Sequence, residues 1–539
     1  MKTKPLILPK GIQSFEKLRE RNCVYVDKTN FLIDLIENEN VCFLSRPRRF
    51  GKSLTVSTFK AIFSGKKELF KGLYAEEFLN RPDFIPSPVI HLDMSTVAYI
   101  KGFDDITESI IYTVLHAADE LDVELNNFSL SNILEKLITE TAKKYNQKAV
   151  LLIDEYDKPY TDFVNKPDMA QKVRDVLRSF YSQIKTSDKH LRFIFITGIA
   201  KFTKMGVFST LNNLVDISLN PKYAEICGYT ENEIINYFPE YLEETANYHK
   251  ITTDELLEKM RYFYNGFSFD YNAQTRLYNP FSTLLFFFDK EFLSYWIETG
   301  QSQFMYDFMK TNKLTVEQFR NLPITLDFAK SPGEIESTPP EGFLYQAGYL
   351  SLRLGTNKEL MLDYPNTEVL NSMSYLLSKN ILKNSERDFT RCRIDLLRGL
   401  QSDNCEKVVE VFNRLLASIP YDDFKTAAMD NISDNRYKFT VNEWLYRSTI
   451  LAFLRGCGVV VIAEMHTNLG RSDIVIIHRD KTWVIELKVA YKNESPKEKI
   501  EEAKRQIKEK NYAKPFQCSV CIAIAIDDEK RQIADYEAL

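Results

Sequence analysis

Short apolar runs alternate with long amphipathic segments over the first 220 residues of this 539-residue chain, and that alternation constrains its fold most. Candidate strands lie at Val41–Leu44, Pro88–Asp93, Ala149–Asp154, Arg192–Thr197 and Val215–Leu219. Between them, Asp104–Leu121, Leu130–Tyr145 and Met169–Lys185 carry helical periodicity. Strands and helices of these lengths in alternation predict an α/β layout, a mostly parallel sheet with helices on both faces.

The pattern turns helical from about Thr230. "TENEIINYFPEYLEE" and "TTDELLEKMRYFYNGF" each open with a threonine followed by acidic residues, which predicts N-caps. The Pro-, Gly- and Ser-rich "KSPGEIESTPPEG" at Lys330–Gly342 marks a boundary or exposed loop, and a second helical region runs to about Leu416. After "SDNRYKFT" the expected order is helix, strand, hairpin, helix, strand. The chain is therefore expected to divide into residues 1–229, a helical lid and connecting region at 230–425, and an α/β domain at 426–539. No fixed-period repeat is visible.

At 44% hydrophobic and 27% charged residues, the composition excludes a disordered, collagenous or coiled-coil chain. A net charge of −5 excludes no partner class, because local basic patches can bind nucleic acid on an acidic protein. Runs such as "LLFFF" at Leu284–Phe288 fall short of a membrane span, and Pro5 and Pro9 interrupt the only apolar stretch near the start. A cytoplasmic location with no membrane partner is expected. The eight cysteines are scattered, and the single CxxC, Cys518 and Cys521, sits in "QCSVCIAIAI", which reads as a buried strand. With six dispersed histidines and no HExxH, zinc chemistry is not expected.

"SRPRRFGKSL" at Ser45–Leu54 ends as a phosphate-binding loop does, in Gly51-Lys52-Ser53, but Arg46 replaces its first glycine. The apolar "VCFL" precedes it and the helical "LTVSTFKAIFSG" follows, so helix N–H groups could face an anion. Lys52 would then reach the β- and γ-phosphates and Ser53 would ligate Mg²⁺. Arg46, preceding Pro47, is pushed toward extended geometry, while Arg48 and Arg49 could face phosphate or a partner chain. The alternative is a basic turn. About 100 residues on, "KAVLLIDEYDKP" is an apolar strand ending in Asp154-Glu155, where an aspartate can organise Mg²⁺ and a glutamate can polarise the attacking water.

"YVDKT" at Tyr25–Thr29, "RPRRFGKSL", "LLIDEYDKP" and "FITGIAKFTK" at Phe195–Lys204 together resemble the bacterial AAA-ATPase-like family over roughly residues 5–230. The resemblance implies an additional-strand P-loop ATPase fold, with ATP and Mg²⁺ held by Lys52, Ser53 and Asp154 and with Glu155 catalytic; Gly51, Arg48 and Arg49 are further expected contacts of the nucleotide. It sets Thr197 where a polar sensor residue belongs, and assigns no arginine finger. A second copy of the chain is a further expected partner.

Near the other end, "LGRSDIVIIHRDKTWVIELKVA" at Leu469–Ala490 reads as an antiparallel hairpin. A turn centred on Arg479–Asp480 pairs His478 with Lys481 and sets Asp473 opposite Glu486. Period-2 alternation then puts Glu486 and Lys488 on one face and Ile485, Leu487 and Val489 on the other. A one-residue slip would break this convergence. Facing carboxylates repel unless a cation lies between them, and an all-oxygen site suits Mg²⁺ or Mn²⁺.

Ser472-Asp473 followed by Glu486-Leu487-Lys488 resembles the PD-(D/E)XK nuclease superfamily over about residues 430–535. The resemblance implies a restriction-endonuclease-like domain with Asp473, Glu486 and Lys488 catalytic and Asp473, Glu486 and Glu443 on the metal. Thr440-x-x-Glu443 is equally a capping box. Gln506 matches the superfamily's helical glutamine, whereas Tyr512 lies too far along. Lys504, Arg505, Lys508 and Lys510 read either as a solvated face or as DNA contacts. Two functions compete: an ATP-dependent nuclease acting on nucleic acid, DNA by preference, and a nucleotide-switched binding or signalling protein that does not cut. A plain ATPase scaffold is the weakest reading.

Overall fold

The computed structural model describes residues 6–97, 103–161, 163, 166–199, 211, 213–296, 315–330, 339–381, 386–418, 441–467, 470–479, 481–510 and 520–539. The chain forms two compact units, Met1–Tyr295 with Asn321–Thr367, and Trp296–Arg320 with Glu368–Leu539.

The first unit is built on β1 (Val41–Ser45), β2 (Val89–Asp93), β3 (Ala149–Asp154), β4 (Leu191–Gly198) and β5 (Val215–Asp216), in the order β2-β3-β4-β1-β5. Every neighbouring pair is parallel. All five expected strands form, and β4 is inserted between the strand that leads into the loop and the strand that ends in Asp154. This is the additional-strand arrangement. Strands β1 and β3 are buried along their whole length, as strands covered on both faces must be. Phe59 and Phe63, on the helix Lys52–Phe63, stack on Phe193 and Phe195 of β4 and fasten that helix to the sheet centre. Helices Phe103–Glu120, Ile133–Tyr145 and Pro167–Thr186 lie close to their expected bounds.

The helical middle region packs on an apolar core centred on Phe238, Leu256, Tyr264 and Phe286, which Leu8, Val24 and Val26 also enter. Helices Glu231–Tyr237 and Thr253–Tyr264 each start with a complete capping box, Thr230 with Glu233 and Thr252 with Glu255. The run "TENEIINYFPEYLEE" is two helices, because Phe238 leaves helical geometry and Pro239 opens a new helix, Pro239–His249. Proline has no N–H to donate backwards and so favours a first turn. The middle region also carries a small antiparallel sheet that the sequence did not signal: β6 (Leu322–Pro323), β7 (Ser351–Leu354) and β8 (Leu360–Asp363). Strands of two to four residues are too short for a period of two to stand out. Most of the Lys330–Gly342 boundary candidate, residues 331–338, falls outside the described residues.

In the second unit β9 (Val460–Thr467), β10 (Gly470–His478), β11 (Lys481–Ala490), β12 (Val520–Asp527) and β13 (Gln532–Ala538) form one mixed sheet in the order β13-β12-β11-β10-β9. Only β11 and β12 run parallel, joined through the helix Pro496–Lys510. The expected order of elements is present, with β13 added at one edge. One sheet face, including Ile474, Trp483, Ile485, Leu487 and Val489, shares a core with helices Glu386–Gln401, Cys405–Leu416 and Val441–Gly456. The other face packs Val475, Val484 and Ala523 on Ile500, Ala503 and Ile507 of the Pro496–Lys510 helix. Cys521 is a buried free thiol on β12; Cys518 lies outside the described residues. No helix among the described residues is long and apolar enough to cross a membrane.

Candidate nucleotide and metal sites

In a parallel sheet, the loops leaving the carboxyl ends of neighbouring strands gather at one edge. The loop after β1 and the turn after β3 meet there. Gly51 caps the helix Lys52–Phe63 with φ 95°, a left-handed conformation that glycine alone adopts without strain. The Ser53 hydroxyl hydrogen-bonds to the Asp154 carboxylate. The Asp154 carboxyl titrates at about 6: burial pushes it up, while Ser53 and the Lys52 ammonium pull it down. Its Oδ1 is buried with no hydrogen-bond partner among the described residues. Lys52 is also buried, and its Nζ donates to the carbonyls of Arg46 at 3.0 Å and Pro47 at 3.1 Å. Burial lowers its pKa, opposed by the charges of Glu155, Asp154 and Asp157.

Glu155, directly after β3, takes a left-handed backbone with φ 51°. A non-glycine residue in that region is strained, and such strain concentrates at functional sites. Thr197 on β4 is fully buried, and its hydroxyl has no partner among the described residues. Residues 200–204 of "FITGIAKFTK" lie outside them. Arg49 is exposed and stacks its guanidinium 3.7 Å from the centre of the Phe281 ring, while Arg48 is half-buried and acts electrostatically on Tyr349.

Three residues not among the expected site residues also shape this edge. Arg46 is 1% exposed. Its Nη1 donates to Ser45 O at 2.9 Å and Ser218 O at 2.7 Å, and its Nη2 to Tyr223 O at 3.2 Å and Ala224 O at 3.4 Å. Asp157 is buried, and both its oxygens accept from the Ile199 N–H, at 3.2 and 3.1 Å. A side chain at Gly198 would meet Asp157 Oδ1 at 2.4 Å, so a glycine is required there. Asp93 of β2 lies beside Asp154 in register, adding a third carboxylate to the strand ends. The second aspartate of "DEYDKP" and the arginine in place of the loop's first glycine were the available sequence signals.

The second unit holds the other site. His478 pairs with Lys481, and the pairing runs to Ile474 opposite Ile485; Asp473, the next residue, lies within electrostatic reach of Glu486. Arg479 has φ 55°, as a two-residue turn requires, and Asp480 lies outside the described residues. Ile485, Leu487 and Val489 enter the core, which leaves Glu486 and Lys488 on the opposite face. Asp473 Oδ2 accepts from the Leu487 N–H at 2.9 Å. Lys488 Nζ lies 3.0 Å from Glu486 Oε1, and Glu486 Oε2 is buried without a partner among the described residues. Burial and the neighbouring Asp473 charge hold the Glu486 carboxyl well above the usual carboxylate range, against the pull of Lys488. Burial disfavours the Lys488 ammonium, but Glu486 and Asp473 outweigh it and raise its pKa.

Glu443 is half-buried on the helix Val441–Gly456, within electrostatic reach of Lys488 and Asp473. Burial raises its pKa, and Asp473 adds to that. Thr440, its capping-box alternative, is outside the described residues. One helical turn beyond Glu443, the buried Arg447 places Nη1 3.8 Å from Asp473 Oδ1. Sequence reading missed Arg447; its signal was the i, i+4 spacing from Glu443, which puts both on one helix face. Arg447 also acts on Glu317, which pairs with Arg455. Gln506 is half-buried on the Pro496–Lys510 helix, and Tyr512 lies outside the described residues. Lys504 is engaged by Glu501 at 2.9 Å and Glu537 at 2.8 Å, whereas Arg505 and Lys508 are exposed.

The orphaned oxygens of Asp154 and Glu486 fit a divalent cation, since each is a buried acceptor with no donor. Ser53 and Asp154 would hold one with a nucleotide, and Asp473 and Glu486 the other. Among the described residues no three His, Cys, Asp or Glu side chains stand together as a ready ligand set.

Residues 9–208 match the family described as predicted AAA-ATPase, and residues 441–536 match the PD-(D/E)XK nuclease superfamily. A protein of Azotobacter chroococcum mcd 1, described as an uncharacterized protein in the vnfD 5' region, is 32% identical over 515 residues, covering 94% of this chain and 93% of that one. With two domain matches, the additional-strand sheet order and a full-length bacterial relative, the chain belongs to the bacterial AAA-ATPase-like family that carries a C-terminal PD-(D/E)XK nuclease superfamily domain.

Proposed function

We propose that the chain binds and hydrolyses ATP in its first unit and uses a divalent metal in its second to cleave nucleic acid, DNA by preference. The observation that carries the nuclease half is the electrostatic clustering of Asp473, Glu486 and Lys488, with one buried Glu486 oxygen left without a donor among the described residues. In the ATPase half, Lys52 would move from the loop carbonyls to the β- and γ-phosphates, Asp154 and Ser53 would hold Mg²⁺, and Glu155 would orient the attacking water. In the nuclease half, Mg²⁺ or Mn²⁺ would supply charge stabilisation at the phosphate. There Asp473 is fixed by the Leu487 N–H, and Lys488 would leave Glu486 to face the scissile phosphate.

One observation favours the alternative, a nucleotide-switched binding protein that does not cut: each carboxylate already faces a cation, Asp473 with Arg447 and Glu486 with Lys488. Plasmid nicking by the full chain with Mn²⁺, with and without ATP, separates the two. Metal-dependent nicking is expected. Nucleotide-dependent DNA binding with no cleavage under any condition would select the alternative.

A further inference from the structure

Arg46 occupies the position of the first glycine in a G-x-x-x-x-G-K-S loop, and it is buried rather than turned to solvent. Before Pro47 it is confined to extended geometry, so the loop cannot enter as a glycine-led loop does. Among the described residues its guanidinium makes no hydrogen bond to a carboxylate. Four backbone carbonyls receive it instead, one in β1 and three in the segment that follows β5. Its face lies 4.3 Å from the Phe269 ring centre, a cation–π contact. Burying a cation in this way is costly, and the planar fork of arginine can donate to carbonyls on two sides at once.

The Arg46 N–H donates to Gly198 O at 3.2 Å, at the end of β4. Its own carbonyl, with that of Pro47, receives Lys52 Nζ. The peptide groups that hold the lysine are therefore the ones Arg46 immobilises.

We propose that Arg46 is a positioning residue of the nucleotide site: its guanidinium, held by Ser218 O, Tyr223 O and Ala224 O, sets the loop entry in place of the missing glycine and thereby places Lys52. The role rests on the reading that this loop binds ATP. It also ties the loop to the segment after β5, from which the chain continues into the lid helices.

The test uses the full chain as wild type, Arg46→Gly and Arg46→Lys, with ATP affinity by calorimetry and thermal melting on each. Arg46→Gly restores the glycine of the ordinary motif, yet its ATP affinity should fall about tenfold or more. Arg46→Lys should recover only part, since an ammonium cannot fork. Millimolar methylguanidine should restore the affinity of Arg46→Gly and leave wild type unchanged, a rescue that a general loss of stability would not show. Wild-type affinity in Arg46→Gly overturns the proposal while leaving ATP binding intact. If Arg46→Gly does not fold, Arg46→Lys decides: weakened binding at an unchanged melting temperature supports the role, and full affinity overturns it. No ATP binding by folded wild type would instead remove the nucleotide reading and this role with it.

Discussion

Lys488 Nζ lies 3.0 Å from Glu486 Oε1, two residues away on the same face of β11, while Glu486 Oε2 is buried with no donor among the described residues. The lysine neutralises part of a charge cluster that also includes Asp473 and Glu443. A metal between Asp473 and Glu486 would take over that task and free the ammonium for the phosphate.

Asp473→Asn should therefore abolish nucleic-acid cleavage, by about 100-fold or more, and leave ATP hydrolysis largely intact. Lys488→Ala should spare Mn²⁺ binding and still lose cleavage. Calorimetry with Mn²⁺ and plasmid nicking on the three proteins check this; full nicking activity in folded Asp473→Asn would exclude Asp473 from the site. DNA binding should persist in both variants and weaken with added salt.

Replacing Lys52 by alanine removes the one buried ammonium of the phosphate loop. ATP binding should weaken on the order of tenfold or more. Unchanged affinity in a folded Lys52→Ala protein, by calorimetry, would return "SRPRRFGKSL" to a basic turn.

Glu155→Gln keeps shape and hydrogen bonding but removes the carboxylate that would polarise water. ATP should bind and persist, with hydrolysis slowed by about 100-fold or more. Phosphate release measured at saturating ATP checks it, and a wild-type rate would make Glu155 an ordinary turn residue.

Asp154 makes the nucleotide unit pH-dependent. Its carboxyl is raised from an ordinary 3.8 to about 6, chiefly by burial. Between those values the folded protein holds more protons than the unfolded chain. Stability from neutral Asp154 is thus fully present below about 4 and lost as pH rises through about 6. Asp154→Asn should gain on wild type across that window, by on the order of 3 kcal/mol at most. Melting both proteins from pH 4.5 to 7.5 gives the difference, and parallel curves would refute the shift. Mg²⁺-supported ATP binding by wild type should strengthen over the same range, because the cation needs the ionised form.

Gly198→Ala should destabilise the first unit, because its Cβ would lie 2.4 Å from Asp157 Oδ1 and against the Tyr156 ring. The Asp157 bonds to the Ile199 N–H would be displaced with it. A fall in melting temperature of several degrees is expected for a loss of about 1–3 kcal/mol.

Local pattern carried much of this molecule. Apolar runs placed all five strands of the parallel sheet, since a strand covered on both faces must be apolar throughout. The hairpin register that brings Asp473 near Glu486 was legible because a two-residue turn and a period of two leave one register that buries Ile485, Leu487 and Val489. What the chain could not disclose locally was decided by distance in sequence. Strand β4 inserts between β1 and β3, an order that no local propensity encodes. Arg46 reads only as a loop residue pushed toward extended geometry by Pro47 until the carbonyls of Ser218, Tyr223 and Ala224, more than 170 residues away, close around it. Arg447 reads as one more helix arginine until β10 brings Asp473 to 3.8 Å. A buried charge depends on partners that only the folded chain assembles, and its role is therefore a tertiary property.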